Sequence, residues 1–302
     1  MTTILLAGKT GQVGHELITA LAPMGRVIAV GRDQFDLTRA DSIIAGIREI
    51  APDIIVNAAA FTAVDDAETA PERAMQVNAT APGLMAEEAR RSGALLVHYS
   101  TDYVFDGSKA GAYLENDTPN PVNVYGRSKL EGERNIAVSG CRHLILRTSW
   151  TYGAQGTNFL RTMLRLARLH AELEVVTDQF GSPTWSRELA LATIRILQSP
   201  RLTPETLGTY HLSAEGHTSR FAFAQAIIEM ARQASGTETG WATIKPTTTA
   251  NYSKPAARPL NAATSKEKIG GMLGITMPHW TEQLREYIPL MVRGELLQRK
   301  QA

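Results

Sequence analysis

Residues 3–22 read TILLAGKTGQVGHELITALA, and their order decides the class of fold. The first five form a short apolar run, as expected of a strand buried on both faces. Gly8, Gly11 and Gly14 follow at intervals of three, and from Gln12 onward the apolar residues recur at helical spacing. A strand, a three-glycine turn and a helix in that order make a cradle for a pyrophosphate. The glycines allow a tight turn and close backbone approach, and the helix N-terminus offers free N–H groups and the positive end of its dipole. Gly8, Thr10, Gly11, Gln12, Val13 and Gly14 are therefore the expected dinucleotide loop.

The pattern continues outward from this unit. Apolar runs at 26–30, 53–59, 94–100 and 143–149 alternate with amphipathic stretches at 40–50, 72–93 and 124–138. Continuous apolar strands between amphipathic helices predict a parallel sheet covered on both faces, a doubly wound, Rossmann-like α/β fold. After Trp150 the rhythm loosens. Helices are expected at 158–170, 186–198, 219–234 and about 279–293, strands at 173–177 and 208–213, and irregular structure over the Thr/Pro/Ala-rich residues 241–265. Residues 1–150 read as the dinucleotide-binding domain, receiving elements from about 171–200. Residues 151–302 read mainly as a smaller substrate-binding domain.

Composition narrows the function. A net charge of +1 with interspersed signs gives no basic stripe for nucleic acid. Cys141 is the single cysteine, so neither an intrachain disulfide nor a cysteine metal site is expected. The N-terminal stretch has no basic segment before its five-residue apolar run, which argues against a signal peptide or membrane span. The expectation is a cytoplasmic protein with no membrane partner.

In an open parallel sheet, ligands sit beyond the carboxyl ends of the strands. The second strand ends in Gly31 and Arg32, and an arginine there favours a ribose 2′-phosphate, hence NADPH, with NADH use left open. Asp36 and Leu37 fall where the chain passes the adenine. The small residues after the third strand, with Ala60, Phe61 and Thr62, let a cofactor lie against the backbone. The fourth strand ends in HYSTDYVFDG (98–107) and the fifth in RTSWTYG (147–153), which places Thr101, Asp102 and Trp150 at the same edge. Between them VNVYGRSKLEGE (122–133) carries Tyr125 and Lys129, one turn apart on one helix face. A Tyr-x-x-x-Lys pair alone means little; its place between two strands that end at the ligand edge gives it weight. His98 reads as a packed or backbone-bonded histidine, and Asn78 as either bonded to the backbone or facing solvent.

The set GKTGQVG, NAAAFTAVD, STDYVF, YGRSK and RTSWTYG, with DQFGSPT at 178–184, resembles the extended short-chain dehydrogenase/reductases and, within them, the dTDP-4-dehydrorhamnose reductases. The similarity spans nearly the whole chain and weakens after about 240, where RPLNAAT (258–264) keeps Arg258 and Pro259 but has Ala262 and Thr264 at the family's Ser and Leu. The resemblance implies NADPH-dependent reduction of the C4 ketone of dTDP-4-dehydro-L-rhamnose. Tyr125 would donate the proton, Lys129 would hold the nicotinamide ribose and favour the phenolate, and Thr101 would polarise the carbonyl. It further implies that Thr101, Asp102 and Trp150 touch the sugar, and that Tyr99 and residues 60–62 line the cofactor. Arg258 is the candidate cation for the nucleotide diphosphate. Some members pair through a Mg²⁺ held by glutamates. Glu16 and Glu188 match two of those ligands, but the third falls near Leu290, so no metal is expected to be needed, and monomer and homodimer both stay open. Related dehydratases carry Asp-Glu after the threonine, whereas Tyr103 follows Asp102 here. Another nucleotide-4-keto-6-deoxysugar reductase, an epimerase, or a non-catalytic regulatory subunit are the alternatives.

Overall fold

The computed structural model describes residues 1–252 and 254–299. Five strands, β1 (Thr2–Ala7), β2 (Gly25–Val30), β3 (Ile54–Asn57), β4 (Leu95–Thr101) and β5 (Arg142–Thr148), form one sheet with a sixth, Gly208–His211. Every pairing is parallel, in the order β2–β1–β3–β4–β5–(208–211). The chain runs outward from β1 to β2, then returns to the other side of β1 at β3. That reversal opens a crevice beyond the carboxyl ends of β1 and β3.

Strand periodicity divides the core. Ile4, Leu6, Val56, Leu95, Val97, Leu144 and Leu146 face one side. There they meet α1 (Gln12–Leu21) and the helix Ser186–Leu197 through Leu17, Leu21, Leu189 and Ile196. Leu5, Ala7, Ile55, Leu96 and Ile145 face the other side, against α2 (Ala40–Ile50), the helix Ala81–Ser92 and Ile136 of the helix Val124–Ser139. Both sheet faces are thus covered, which is why the strands read as unbroken apolar runs. A separate aromatic cluster of Tyr152, Trp185, Phe223, Trp280 and Tyr287 forms the centre of the second half.

Three sequence expectations change. The strand Glu172–Val176 does not join the main sheet; it pairs in parallel with Thr243–Thr247, inside the segment expected to be irregular. The helix expected over 72–93 is broken into Pro71–Met75, a π-helical turn Gln76–Thr80 and Ala81–Ser92. A further short helix, Glu267–Leu273, packs its Ile269 and Leu273 against the first half. Among the described residues no helix is long and apolar enough to cross a membrane.

Candidate active site

A cleft of about 640 Å³ lies along the carboxyl edge of the sheet, within the range typical of small-molecule sites. One end is the glycine loop. Gly8 takes φ +95°, a conformation that other residues rarely adopt. A Cβ on Gly14 would stand 2.0 Å from the Gly8 carbonyl oxygen, so only glycine lets α1 pack this close to the turn. Gly11 caps α1 with no side-chain hydrogen bond, and the first turn contains no acid. The helix N-terminus therefore presents unpaired N–H groups with no competing carboxylate, which suits a pyrophosphate.

Gly31, Arg32, Asp36, Leu37, Ala60, Phe61 and Thr62 line the same cleft, as the sequence places them. Arg32 is exposed at its rim. Asp36 accepts hydrogen bonds from the backbone and hydroxyl of Thr38, which hold its carboxyl below the usual range. Asn78, in the π turn, settles its own question. Its amide accepts from Phe61 N at 2.8 Å and donates to Phe61 O at 3.0 Å and to Ser128 Oγ at 2.9 Å. It ties the cofactor-facing strip to the helix that carries Tyr125 and Lys129.

That helix starts where it does because Asn123 caps it. Asn123 Oδ1 accepts from Gly126 N at 2.7 Å, and its amide donates to Ala257 O at 2.8 Å. Tyr125 thus sits in the first turn, where it lines the cleft. Its hydroxyl is hydrogen-bonded to Thr101, and burial pushes the phenol above its ordinary value, with Asp102 and Tyr103 adding to the rise. The phenol is held protonated, the form a proton donor needs. Lys129 Nζ bonds Tyr99 O at 2.6 Å and His98 Nε2 at 3.1 Å.

Thr101 and Asp102 are both buried. Thr101 Oγ1 donates to Asp102 Oδ1 at 3.0 Å, and Ser149 Oγ donates to Asp102 Oδ2 at 2.6 Å. Burial still raises the Asp102 carboxyl to about 6. Asp102 therefore anchors Thr101 to the loop after β5 as well as lining the cleft. Tyr99 lines the cleft too, but its phenol points away, to Thr193 Oγ1 at 2.5 Å.

Trp150 takes φ +42°, a strained conformation for a non-glycine residue. Its indole lies against Gly181, where a Cβ would come within 2.4 Å of the ring. The Arg220 guanidinium covers the ring at 3.6 Å from its centroid. Arg220 also bonds Tyr103 and lines the cleft. Sequence reasoning missed it, since nothing marks an arginine at a helix start as a site residue. Arg258, the residue expected to face the diphosphate, is instead clasped by Asp65 at 2.6 and 2.8 Å, and it does not line the cleft.

Glu16 and Glu188 lie on α1 and on the helix Ser186–Leu197, and Leu290 is exposed on the last helix, Trp280–Arg299. Among the described residues no three His, Cys, Asp or Glu side chains are grouped to hold a metal ion.

The chain has relatives over almost its whole length. A family model described as the RmlD substrate binding domain matches residues 1–292. A dTDP-4-dehydrorhamnose reductase of Burkholderia thailandensis is 43% identical over 300 residues, covering 98% of this chain and 99% of that protein. Among solved structures, a dTDP-4-dehydrorhamnose reductase from Clostridium acetobutylicum superposes with a TM-score of 0.88 at 34% identity, covering 96% of this chain and 99% of that one. The dTDP-4-dehydrorhamnose reductase of Bacillus anthracis, solved in complex with NADP, gives 0.86 at 33% identity over 95% and 98%. With a family match over almost its entire length and these identities, the chain belongs to the RmlD family, that of the dTDP-4-dehydrorhamnose reductases.

Proposed function

We propose that this protein reduces the C4 ketone of dTDP-4-dehydro-L-rhamnose to dTDP-L-rhamnose, with NADPH as reductant, in the cytoplasm. The observation that carries the reading is the half-buried Tyr125 beside the buried Thr101–Asp102 pair in the cleft, with Tyr103 where an elimination would need a second acid. A ketone reduction needs one proton donor and no such acid. NADPH, when bound, supplies the hydride. Tyr125 gives its proton to the substrate oxygen, and the Thr101 hydroxyl, turning its single proton from Asp102 to that oxygen, stabilises the growing negative charge. The glycine loop and the α1 N-terminus hold the pyrophosphate. Trp150 and the second-half aromatics offer an apolar wall to a 6-deoxy sugar.

Arg32 is the coenzyme selector in this reading. Arg32→Asp exchanges attraction to a 2′-phosphate for repulsion. It should lower kcat/KM for NADPH on the order of 10–100-fold, the worth of a hydrogen bond to a charged group, and barely change that for NADH. Equal losses for the two coenzymes would show that Arg32 does not read the phosphate.

Arg220, rather than the Asp65-bound Arg258, is the cation the cleft presents to a nucleotide diphosphate. Arg220→Ala should raise KM for the sugar nucleotide about tenfold or more with a smaller effect on kcat, the mark of lost uniform binding. Arg258→Ala should change KM less. The reverse ranking would return the diphosphate to Arg258.

The whole reading is tested by mixing protein, NADPH and enzymatically generated keto-sugar nucleotide, following NADPH absorbance and identifying the product by mass and NMR. A product with the opposite C4 configuration would make this a 4-keto-6-deoxysugar reductase of another kind. No NADPH oxidation with any 4-keto-sugar nucleotide would point to a non-catalytic subunit.

A further inference from the structure

Behind the ring of Trp150 lies Gly181. It is buried, and its φ falls outside the left-handed region, so the backbone itself would carry a side chain. The obstacle is the indole. The three atoms nearest to a Cβ built at this position all belong to Trp150, with Cε2 at 2.4 Å, Nε1 at 2.6 Å and Cδ2 at 2.8 Å. All three are well inside van der Waals contact.

The backbone behind the ring is pinned. Gly181 pairs with Thr218, and Phe180 with Ser219, in a short antiparallel ladder. Phe180 N donates to Leu260 O at 2.7 Å, and Phe180 O accepts from Ala262 N at 2.9 Å. Ser182 N donates to Ser149 Oγ at 3.2 Å, and Ser182 Oγ to Gly216 O at 2.7 Å. A new methyl at 181 therefore has to move the ring. The ring is bounded as well. Its strained backbone is held between Ser149, whose hydroxyl donates to Asp102, and Thr184, whose N–H donates to Trp150 O at 3.3 Å. Phe223 stands 6.5 Å away between centroids, and the Arg220 guanidinium covers the indole while resting on Phe159 at 4.8 Å. Trp150 is half-buried, and its open side lines the cleft.

We propose that Gly181 is a positioning residue for Trp150. Its missing side chain lets the indole stand back, and the size of residue 181 sets the room left in the cleft for the sugar of a sugar nucleotide. The inference deepens the reductase reading and rests on it for the identity of the ligand. The same stretch of chain also places the cation over the ring, since Arg220 N donates to Gln179 O at 3.0 Å. The left-handed turn at Trp150 has a use in this arrangement: it lays the indole on the one neighbour with no side chain, and such strain persists where the surroundings fix it at a site.

Gly181→Ala, measured by calorimetry, should weaken the binding of dTDP-L-rhamnose about tenfold, the order expected when an overpacked ring has to be forced back. dTDP, which carries no sugar, should lose little, and NADPH nothing measurable. Equal losses for dTDP and dTDP-L-rhamnose would mean a general distortion of the cleft and would overturn the proposal, as would unchanged affinity for both. A second measurement needs no ligand. The Trp150 indole N–H signal, assigned through Trp150→Phe, should shift in ¹⁵N spectra of Gly181→Ala while those of Trp185, Trp241 and Trp280 stay in place. An unmoved Trp150 signal would overturn the proposal. A native protein that binds no dTDP-L-rhamnose would count against the reductase reading, and the indole signal would then decide the role of Gly181 alone. If Gly181→Ala does not fold, adding Trp150→Leu should restore folding, because no ring then meets the new methyl. A double variant that stays unfolded would overturn the proposal.

Discussion

Tyr125→Phe should leave the fold and the cofactor cleft intact and lower kcat by about 10²–10⁴, the usual worth of a positioned general acid. The substitution removes one oxygen at a site that packs mainly through its ring. Tyr103 stacks edge-on against that ring at 5.8 Å between centroids, and this contact survives in phenylalanine. The lost oxygen is the end of the Tyr125–Thr101–Asp102 chain. Without it, Thr101 still bonds the substrate oxygen but no proton arrives. Coenzyme affinity, measured by fluorescence quenching, should stay within a few-fold of the native value, which separates lost chemistry from lost binding. Turnover above a third of the native rate would remove Tyr125 from its role as proton donor.

Much of this site was legible because its residues sit at strand ends. A parallel sheet covered on both faces turns each strand into an apolar run, and the first polar residue after the run marks the ligand edge. Thr101 and Trp150, near the ends of the fourth and fifth runs, line the cleft accordingly, and the glycine loop is legible by its spacing. What stayed hidden depends on partners far apart in sequence. Asn57 and His98 become a pair only through the β3–β4 register. The signal was present all the same, since a polar residue in an otherwise buried strand must find a partner. The π turn at Gln76–Thr80 places Asn78 against Phe61 and Ser128, contacts that no helical period encodes. The strand Thr243–Thr247 contains Pro246 and is largely exposed, so it lacks the alternation that marks a strand; its partner, Glu172–Val176, supplies the ladder from about seventy residues away. Arg258 lies outside the cleft lining for a related reason. Asp65, nearly two hundred residues earlier, accepts from both of its terminal nitrogens.

Arg147→Met should cost about 3–5 kcal/mol of stability, the usual penalty for stripping one partner from a buried ion pair. Arg147 and Glu133 are each 5% exposed. The guanidinium donates through Nε at 3.0 and 3.2 Å and through Nη2 at 2.6 Å to the Glu133 carboxylate, and it stacks over Phe105 at 5.2 Å. The pair clamps the helix of Tyr125 and Lys129 onto β5. Methionine keeps most of the apolar contact with Phe105 but leaves the Glu133 carboxylate buried without its cation, and that uncompensated charge is the source of the loss. Removing both charges takes the penalty away, so Glu133→Leu combined with Arg147→Met should recover much of the stability, since buried pairs often break even against apolar residues of similar volume. Denaturant midpoints of the native protein, the single variant and the double variant measure this. A single-variant loss below about 1 kcal/mol would place the pair with solvent-exposed salt bridges. A double variant no more stable than the single one would mean that the loss comes from packing against Phe105. In either case the clamp on the catalytic helix would have to be sought in its apolar contacts, with Leu130 and Ile136 the first to test.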